Sequence, residues 1–133
     1  MKKFTFDIRT NARSEMVNIT EKVRQAVRES GVTEGTCTVF VPHTTAGVTI
    51  NENADPDVVR DILTELDRIV PWEDGYRHYE GNSAAHIKSS MMGSAQQIII
   101  EDGKLVLGTW QGIYFCEFDG PRNRKFFVKI SGD

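Results

Sequence analysis

The strongest constraint on the fold is a hairpin signal in the last third of the chain. Ile98-Ile99-Ile100-Glu101 and Lys104-Leu105-Val106-Leu107 flank Asp102-Gly103, a two-residue turn between apolar strands. Asp-Gly suits a turn whose two central residues both take positive φ, and that geometry joins antiparallel neighbours. A chain that must contain this hairpin builds an antiparallel sheet. Gly108-Thr109-Trp110-Gln111-Gly112 then interrupts what reads as one long strand continuing through Ile113 to Phe118. Glycines on both sides of Trp110-Gln111 predict a bulge or a close backbone approach. Asp119-Gly120-Pro121 turns the chain into a last strand, Lys125 to Ile130.

Upstream, Phe4 to Arg9 alternates apolar and polar residues as a half-buried strand does, and Met16 to Ile19 is a short second strand. Thr20 reads as the N-cap of a helix that Gly31 ends, with Val23, Ala26 and Val27 on its apolar face. Gly35 to Pro42 is a β-branched strand stopped by proline, and Ala46 to Asn51 follows it. Asp55-Pro56 opens a second helix that Pro71 closes. Ser83 reads as the cap of a third helix, Ala84 to Met92, whose face of Ala84, Ile87 and Met91 is read as core. The expected class is α+β: a mainly antiparallel β-sheet core with about three helices, in one compact domain spanning residues 1–133.

The chain has 133 residues and a formal net charge of −3. That length buries roughly two thirds of the unfolded surface in a single domain. The balance lacks the basic footprint of nucleic-acid binding. Lys2-Lys3 is not followed by the apolar core of a signal peptide, and no run approaches the ~20 apolar residues of a membrane span. A soluble, cytoplasmic protein is expected, with no nucleic-acid or membrane partner. Cys37 and Cys116 each sit in a strand-like run without CxxC spacing, which reads as two buried free thiols.

All three histidines fall in two polar runs, His43 to Pro56 and His78 to His86. The bland reading of any one is structural. Together they point to a site. Three neutral imidazoles from different elements suit Zn²⁺ with an open fourth position, although His-x7-His between His78 and His86 is no established ligand signature. Glu52 is either a solvated charge, a general base or an oxygen ligand to Mg²⁺. Gly81-Asn82-Ser83 before a helix is either an ordinary cap or an anion cradle of unpaired N–H groups, with Arg122, Arg124 and Lys125 as further positive charge. Trp110 is either core or a stacking face for a planar ring, beside the amide of Gln111. There is no GxSxG, P-loop or GxGxxG.

Three segments carry a resemblance to a known family. They are His43-Thr44-Thr45-Ala46 through Asn51-Glu52-Asn53-Ala54-Asp55-Pro56, then His78 through Glu80-Gly81-Asn82 to Ala85-His86-Ile87-Lys88, and finally Leu107 to Ile113. In this order, and closing in the turn Glu117 to Arg122, the chain resembles the YjbQ family, described as secondary thiamine-phosphate synthases. The resemblance implies a homotrimer with sites near subunit contacts. It also implies a weak transferase activity joining hydroxymethylpyrimidine diphosphate to thiazole phosphate, giving thiamine phosphate and pyrophosphate. It brings His43, Glu52, Asn53, His78, His86 and Gln111 forward as catalytic candidates. Thr44, Thr45, Gly81, Asn82, Ser83, Trp110 and Arg122 are then candidates for binding a small phosphorylated molecule. A divalent metal, Zn²⁺ at His43, His78 and His86 or Mg²⁺ with the phosphate, is the expected cofactor. Two other readings stand beside this one: a Zn²⁺-dependent hydrolase with Glu52 as base, and a non-catalytic small-molecule-binding module.

Overall fold

A computed structural model describes residues 2–133. Asp102 (φ 53°) and Gly103 (φ 74°) form the expected turn between β5 (Ala95–Glu101) and β6 (Lys104–Leu105), pairing Glu101 with Lys104. The earlier elements are β1 (Lys2–Arg9), β2 (Glu15–Asn18), α1 (Thr20–Ser30), β3 (Gly35–Phe40), β4 (Ala46–Glu52), α2 (Pro56–Ile69) and α3 (Ser83–Met92). The last two are β7 (Gln111–Glu117) and β8 (Asn123–Gly132). With three helices and every strand pair antiparallel, the chain is a single compact α+β domain.

The strands form two sheets rather than one, in the orders β1-β8-β3-β5-β6 and β2-β7-β4. The glycine-flanked interruption is where the chain leaves the first sheet for the second, so β6 and β7 are separate strands. Gln111 builds that crossing: its N–H donates to the Gly108 carbonyl at 3.1 Å while its side-chain Oε1 accepts the Gly108 N–H at 2.7 Å.

The main core joins both sheets to α1. Phe126, Val128 and Ile130 of β8 meet Ile113 and Phe115 of β7 and Val23, Ala26 and Val27 of α1. The opposite face of β7 is covered too, with Tyr114, Cys116 and Phe118 packed among Leu66 of α2 and Ala85 of α3. A strand buried on both faces reads as a continuous apolar run, and Ile113-Tyr114-Phe115-Cys116 is one. Cys37 lies in the first core and Cys116 in the second, both free and buried. Burial pushes each thiol up to about 12.

Three local expectations change. Ile19, not Thr20, occupies the first cap position; Thr20 donates its N–H (3.0 Å) and O–H (2.6 Å) to Asn18 Oδ1 and accepts the Ile113 N–H at 2.8 Å, tying α1 to β7. Asn82 takes the cap position expected of Ser83. On α3, Ile87 and Met91 are exposed, and the buried face is Ala84, Ala85, Lys88 and Ser89. These small residues let α3 lie close on β4. A Cβ on Gly47 would stand 2.7 Å from the Gly93 carbonyl oxygen. Asp55 caps α2 as expected, accepting the Asp57 N–H at 2.9 Å. Among the described residues no helix is long and apolar enough to cross a membrane.

Candidate functional site

The site is built on a buried ion pair. Glu117 ends β7 with no exposed surface, and Arg124 enters β8 almost as deeply buried. Arg124 grips Glu117 through two nitrogens, Nε to Oε1 at 2.8 Å and Nη2 to Oε2. The same Nη2 donates to Thr45 Oγ1 at 2.8 Å. Thr10 Oγ1 donates to Glu117 Oε1 at 2.8 Å, and the Asp119 N–H donates to Oε2 at 2.9 Å. Burial alone would raise the Glu117 pKa; the Arg124 guanidinium and these donors outweigh it and hold the carboxyl below its ordinary value. A buried bidentate pair with its remaining lone pairs satisfied fixes where two strands end.

Two loops close over this floor. Pro42 to Thr45 leaves β3 and carries His43, whose Nε2 accepts the backbone N–H of Lys125 at 3.0 Å. Accepting that bond takes a lone pair on Nε2, so the neutral ring carries its proton on Nδ1. Burial, then the Arg124 charge, pulls the His43 pKa below its ordinary value, so the neutral ring is the form present near pH 7. The second loop is a turn in which the Gly81 N–H donates to the His78 carbonyl at 3.1 Å. It folds His78 back onto His86 of α3, ring edge to ring face, with centroids 5.5 Å apart. Glu80 Oε1 lies 3.8 Å from His78 Nε2.

Asn82 joins loop to floor. Its Nδ2 donates to Asp119 Oδ2 at 2.9 Å, and Arg122 Nη2 donates to the same oxygen at 3.0 Å. The Asn82 Oδ1 is buried without a partner among the described residues. In native folds such an acceptor is matched by ordered water or a bound donor. Behind Asn82 the N–H groups of Ala85 and His86 donate to the Asn82 carbonyl, while those of Ser83 and Ala84 have no acceptor among the described residues, which suits an anion. Together these residues line a cleft of about 490 Å³ that takes in His43, His78, His86, Asn82, Arg122 and Arg124.

Thr44 and Thr45 also line the cleft, Thr45 from beneath. Gly81 lies in an adjoining hollow with His78 and Trp72, and Ser83 is the first residue of α3. The other sequence candidates stand elsewhere. Glu52 pairs with Gln111 at one end of the β4–β7 ladder, whereas Ala46 pairs with Glu117 at the cleft end. Six residues of extended strand separate the two, about 20 Å at strand rise. Asn53 donates its N–H to the Trp110 carbonyl at 2.8 Å, the Gln111 amide is engaged in its own turn, and Trp110 is 63% exposed. Within one chain, Glu52, Asn53, Trp110 and Gln111 therefore do not meet the histidines, and Trp110 is not core. Sequence reasoning gave no role to Glu117, Asp119 or Thr10. The available signal was a carboxylate closing a continuously apolar strand, which demands a buried partner.

The three histidines as arranged do not fit a zinc centre. His43 spends its Nε2 lone pair on Lys125, and among the described residues no three His, Cys, Asp or Glu side chains converge as a metal ligand set. Oxygen donors do line the cleft, namely the carboxylates of Glu80 and Asp119. Carboxylate oxygens are the ligand type that hard cations such as Mg²⁺ take.

A family model described as UPF0047 protein YjbQ-like matches residues 4–133. This chain belongs to the YjbQ family. YjbQ-family relatives include the UPF0047 protein YugU of Bacillus subtilis, 55% identical over 96% of this chain and 98% of that protein. A UPF0047 protein of Methanocaldococcus jannaschii is 57% identical over 98% of this chain and 94% of its own. Among solved structures, a YjbQ/UPF0047 protein from Clostridium acetobutylicum superposes with a TM-score of 0.95 at 62% identity, covering 96% of this chain and 99% of that one. A hypothetical protein from Aeropyrum pernix K1 reaches 0.96 at only 33% identity over the whole of both chains. The YjbQ backbone thus holds its shape while two thirds of the side chains change.

Proposed function

We propose that the cleft is the active site of a transferase acting on phosphorylated small molecules, with thiamine-phosphate-synthase-type condensation as an activity within its reach. The observation that carries this reading is convergence: three imidazoles, two guanidinium groups and the N-terminus of α3 border one cleft. A helix N-terminus with Arg122 is a phosphate anchor. Neutral His43 offers an Nδ1–H donor, and His78 and His86 supply groups able to exchange protons.

The charges lining the cleft limit what enters. Arg124 is already paired with Glu117 and Arg122 with Asp119, so with Glu80 beside them a diphosphate meets no net positive field from fixed side chains. Glu80 and Asp119 are the oxygen donors that would face a divalent cation carried in on the diphosphate, and such a cation would supply the charge neutralisation that a leaving pyrophosphate needs. In the condensation the C–O bond to diphosphate breaks, its electron pair leaves with pyrophosphate, and the thiazole nitrogen supplies the pair for the new C–N bond. The chain's part is to hold the phosphate at α3 and to aim the histidine donors at the departing oxygen. The family resemblance adds assembly as a homotrimer.

The test is pyrophosphate release from hydroxymethylpyrimidine diphosphate and thiazole phosphate with Mg²⁺. His43→Ala and His86→Ala are each expected to lower turnover by about 10²-fold or more while the circular-dichroism spectrum is retained. Unchanged turnover in both variants would sink the assignment.

A further inference from the structure

A second cleft, about 470 Å³, lies against the first, and His43, Thr44 and His86 line both. The shared wall therefore faces two chambers with different chemistry. The first chamber carries Arg122, Arg124, Asp119 and Glu80. Among the described residues the second has no Lys, Arg, Asp or Glu in its lining, which is completed largely by Ser89, Ser90 and Ser94.

The hydrogen-bond polarity of that serine wall is set by α3. Ser89 Oγ donates to the Ala85 carbonyl at 2.8 Å, and Ser90 Oγ donates to the His86 carbonyl at 3.0 Å. Each hydroxyl has one proton, so both are left with lone pairs only. The Gly93 N–H is likewise spent on the Ser89 carbonyl at 2.9 Å. At Ser89 and Ser90 the wall offers acceptors without charge. A phosphate group, itself all acceptor oxygens and carrying about two negative charges, finds no cation there and meets lone pairs at Ser89 and Ser90.

Resting on the transferase reading above, we infer that the second chamber binds the second substrate, and that this substrate is an unphosphorylated small molecule bearing hydroxyl or amine donors. The two clefts adjoin at His43, Thr44 and His86, so the reacting centres of the two substrates meet along that shared edge. The bond changes are those of the condensation already described; only the phosphate on the nucleophile is absent. Thiazole phosphate is then a makeshift nucleophile, and its dephosphorylated alcohol resembles the preferred one.

The experiment compares thiazole alcohol with thiazole phosphate as nucleophile, at fixed hydroxymethylpyrimidine diphosphate and Mg²⁺. The alcohol is expected to show a kcat/KM about tenfold higher or more. Ser90→Arg, which adds a cation to the second chamber, is expected to shift the preference toward the phosphate. A preference for thiazole phosphate in the unmodified protein, or a preference that Ser90→Arg leaves unmoved, overturns the inference. Should neither nucleophile release pyrophosphate, the transferase reading fails, and the chamber is judged by backbone amide shifts instead. Thiazole alcohol alone is expected to move the Ser90, Gly93 and Ser94 amides; shifts there with thiazole phosphate and none with the alcohol overturn the chamber assignment.

Discussion

The backbone N–H of Lys125 is donated to Nε2 of His43 across 3.0 Å, which makes a side chain from one loop dependent on the pairing of a strand near the end of the chain. The bond selects the tautomer with its proton on Nδ1. Nitrogen-15 NMR at pH 7.5 is expected to show His43 neutral with Nδ1 protonated. A ring protonated on Nε2 instead would remove His43 as the donor proposed above.

The lowered His43 pKa has a stability consequence with a definite sign. Below about pH 6.5 the unfolded chain takes up a proton at His43 that the folded chain resists, so stability falls with pH there and is full above it. Glu117, whose folded pKa is also depressed, contributes in a separate window, losing its stabilisation as pH falls below about 4.5. Urea midpoints measured between pH 8 and pH 5 are expected to decline less for His43→Asn than for the unmodified protein. Equal declines would show that His43 does not resist protonation.

Glu117→Gln leaves the Arg124 charge buried without its counter-ion and is expected to cost about 3–5 kcal/mol. The double change Glu117→Leu with Arg124→Met is expected to recover part of that loss, because hydrophobic replacement of a buried pair is tolerated better than breaking it. Chemical denaturation of the three proteins decides this. A double variant less stable than Glu117→Gln would mean that the pair is worth more than its desolvation.

Lys88 is buried on α3 and pairs with Asp67 of α2, whose side chain is 64% exposed. The asymmetry predicts unequal mutants. Asp67→Ala strands a buried ammonium and is expected to cost about 1–3 kcal/mol. Lys88→Met leaves Asp67 hydrated and is expected to cost less. Melting temperatures of the two variants in the opposite order would refute this account.

Both thiols, raised to about 12 and buried, are expected to resist iodoacetamide at pH 8 in the folded protein and to react fully in urea. Intact-mass measurement reads the outcome directly.

Local chemistry was legible wherever a short motif determines its own geometry. Asp102-Gly103, Asp55-Pro56 and Gly31 each say what the backbone does there, and each does so in the structure. The split into two sheets was not, because Gly108 to Gly112 signals an interruption without saying where the chain goes next. On α3 the core reading of Ala84 holds and that of Ile87 and Met91 does not, because the rest of the contact is made by Ala85 and Ser89, small residues that apolar periodicity does not register. Histidine clustering located the cleft. The same polar run also carried Glu52 and Asn53, and strand geometry sends them to the far end of β4, since adjacency in sequence along an extended strand is distance in space. Glu117 escaped notice because a buried charge is intelligible only beside its partner.

In the larger sheet β8 lies between β1 and β3. Within residues 2–133 it is the last strand in chain order, yet the first strand has no other neighbour in its sheet. Until residues 123–132 emerge, β1 and β3 share an open slot. Nor can the Glu117 carboxylate find Arg124 before then. In vectorial synthesis the floor of the cleft therefore closes only once that strand is in place.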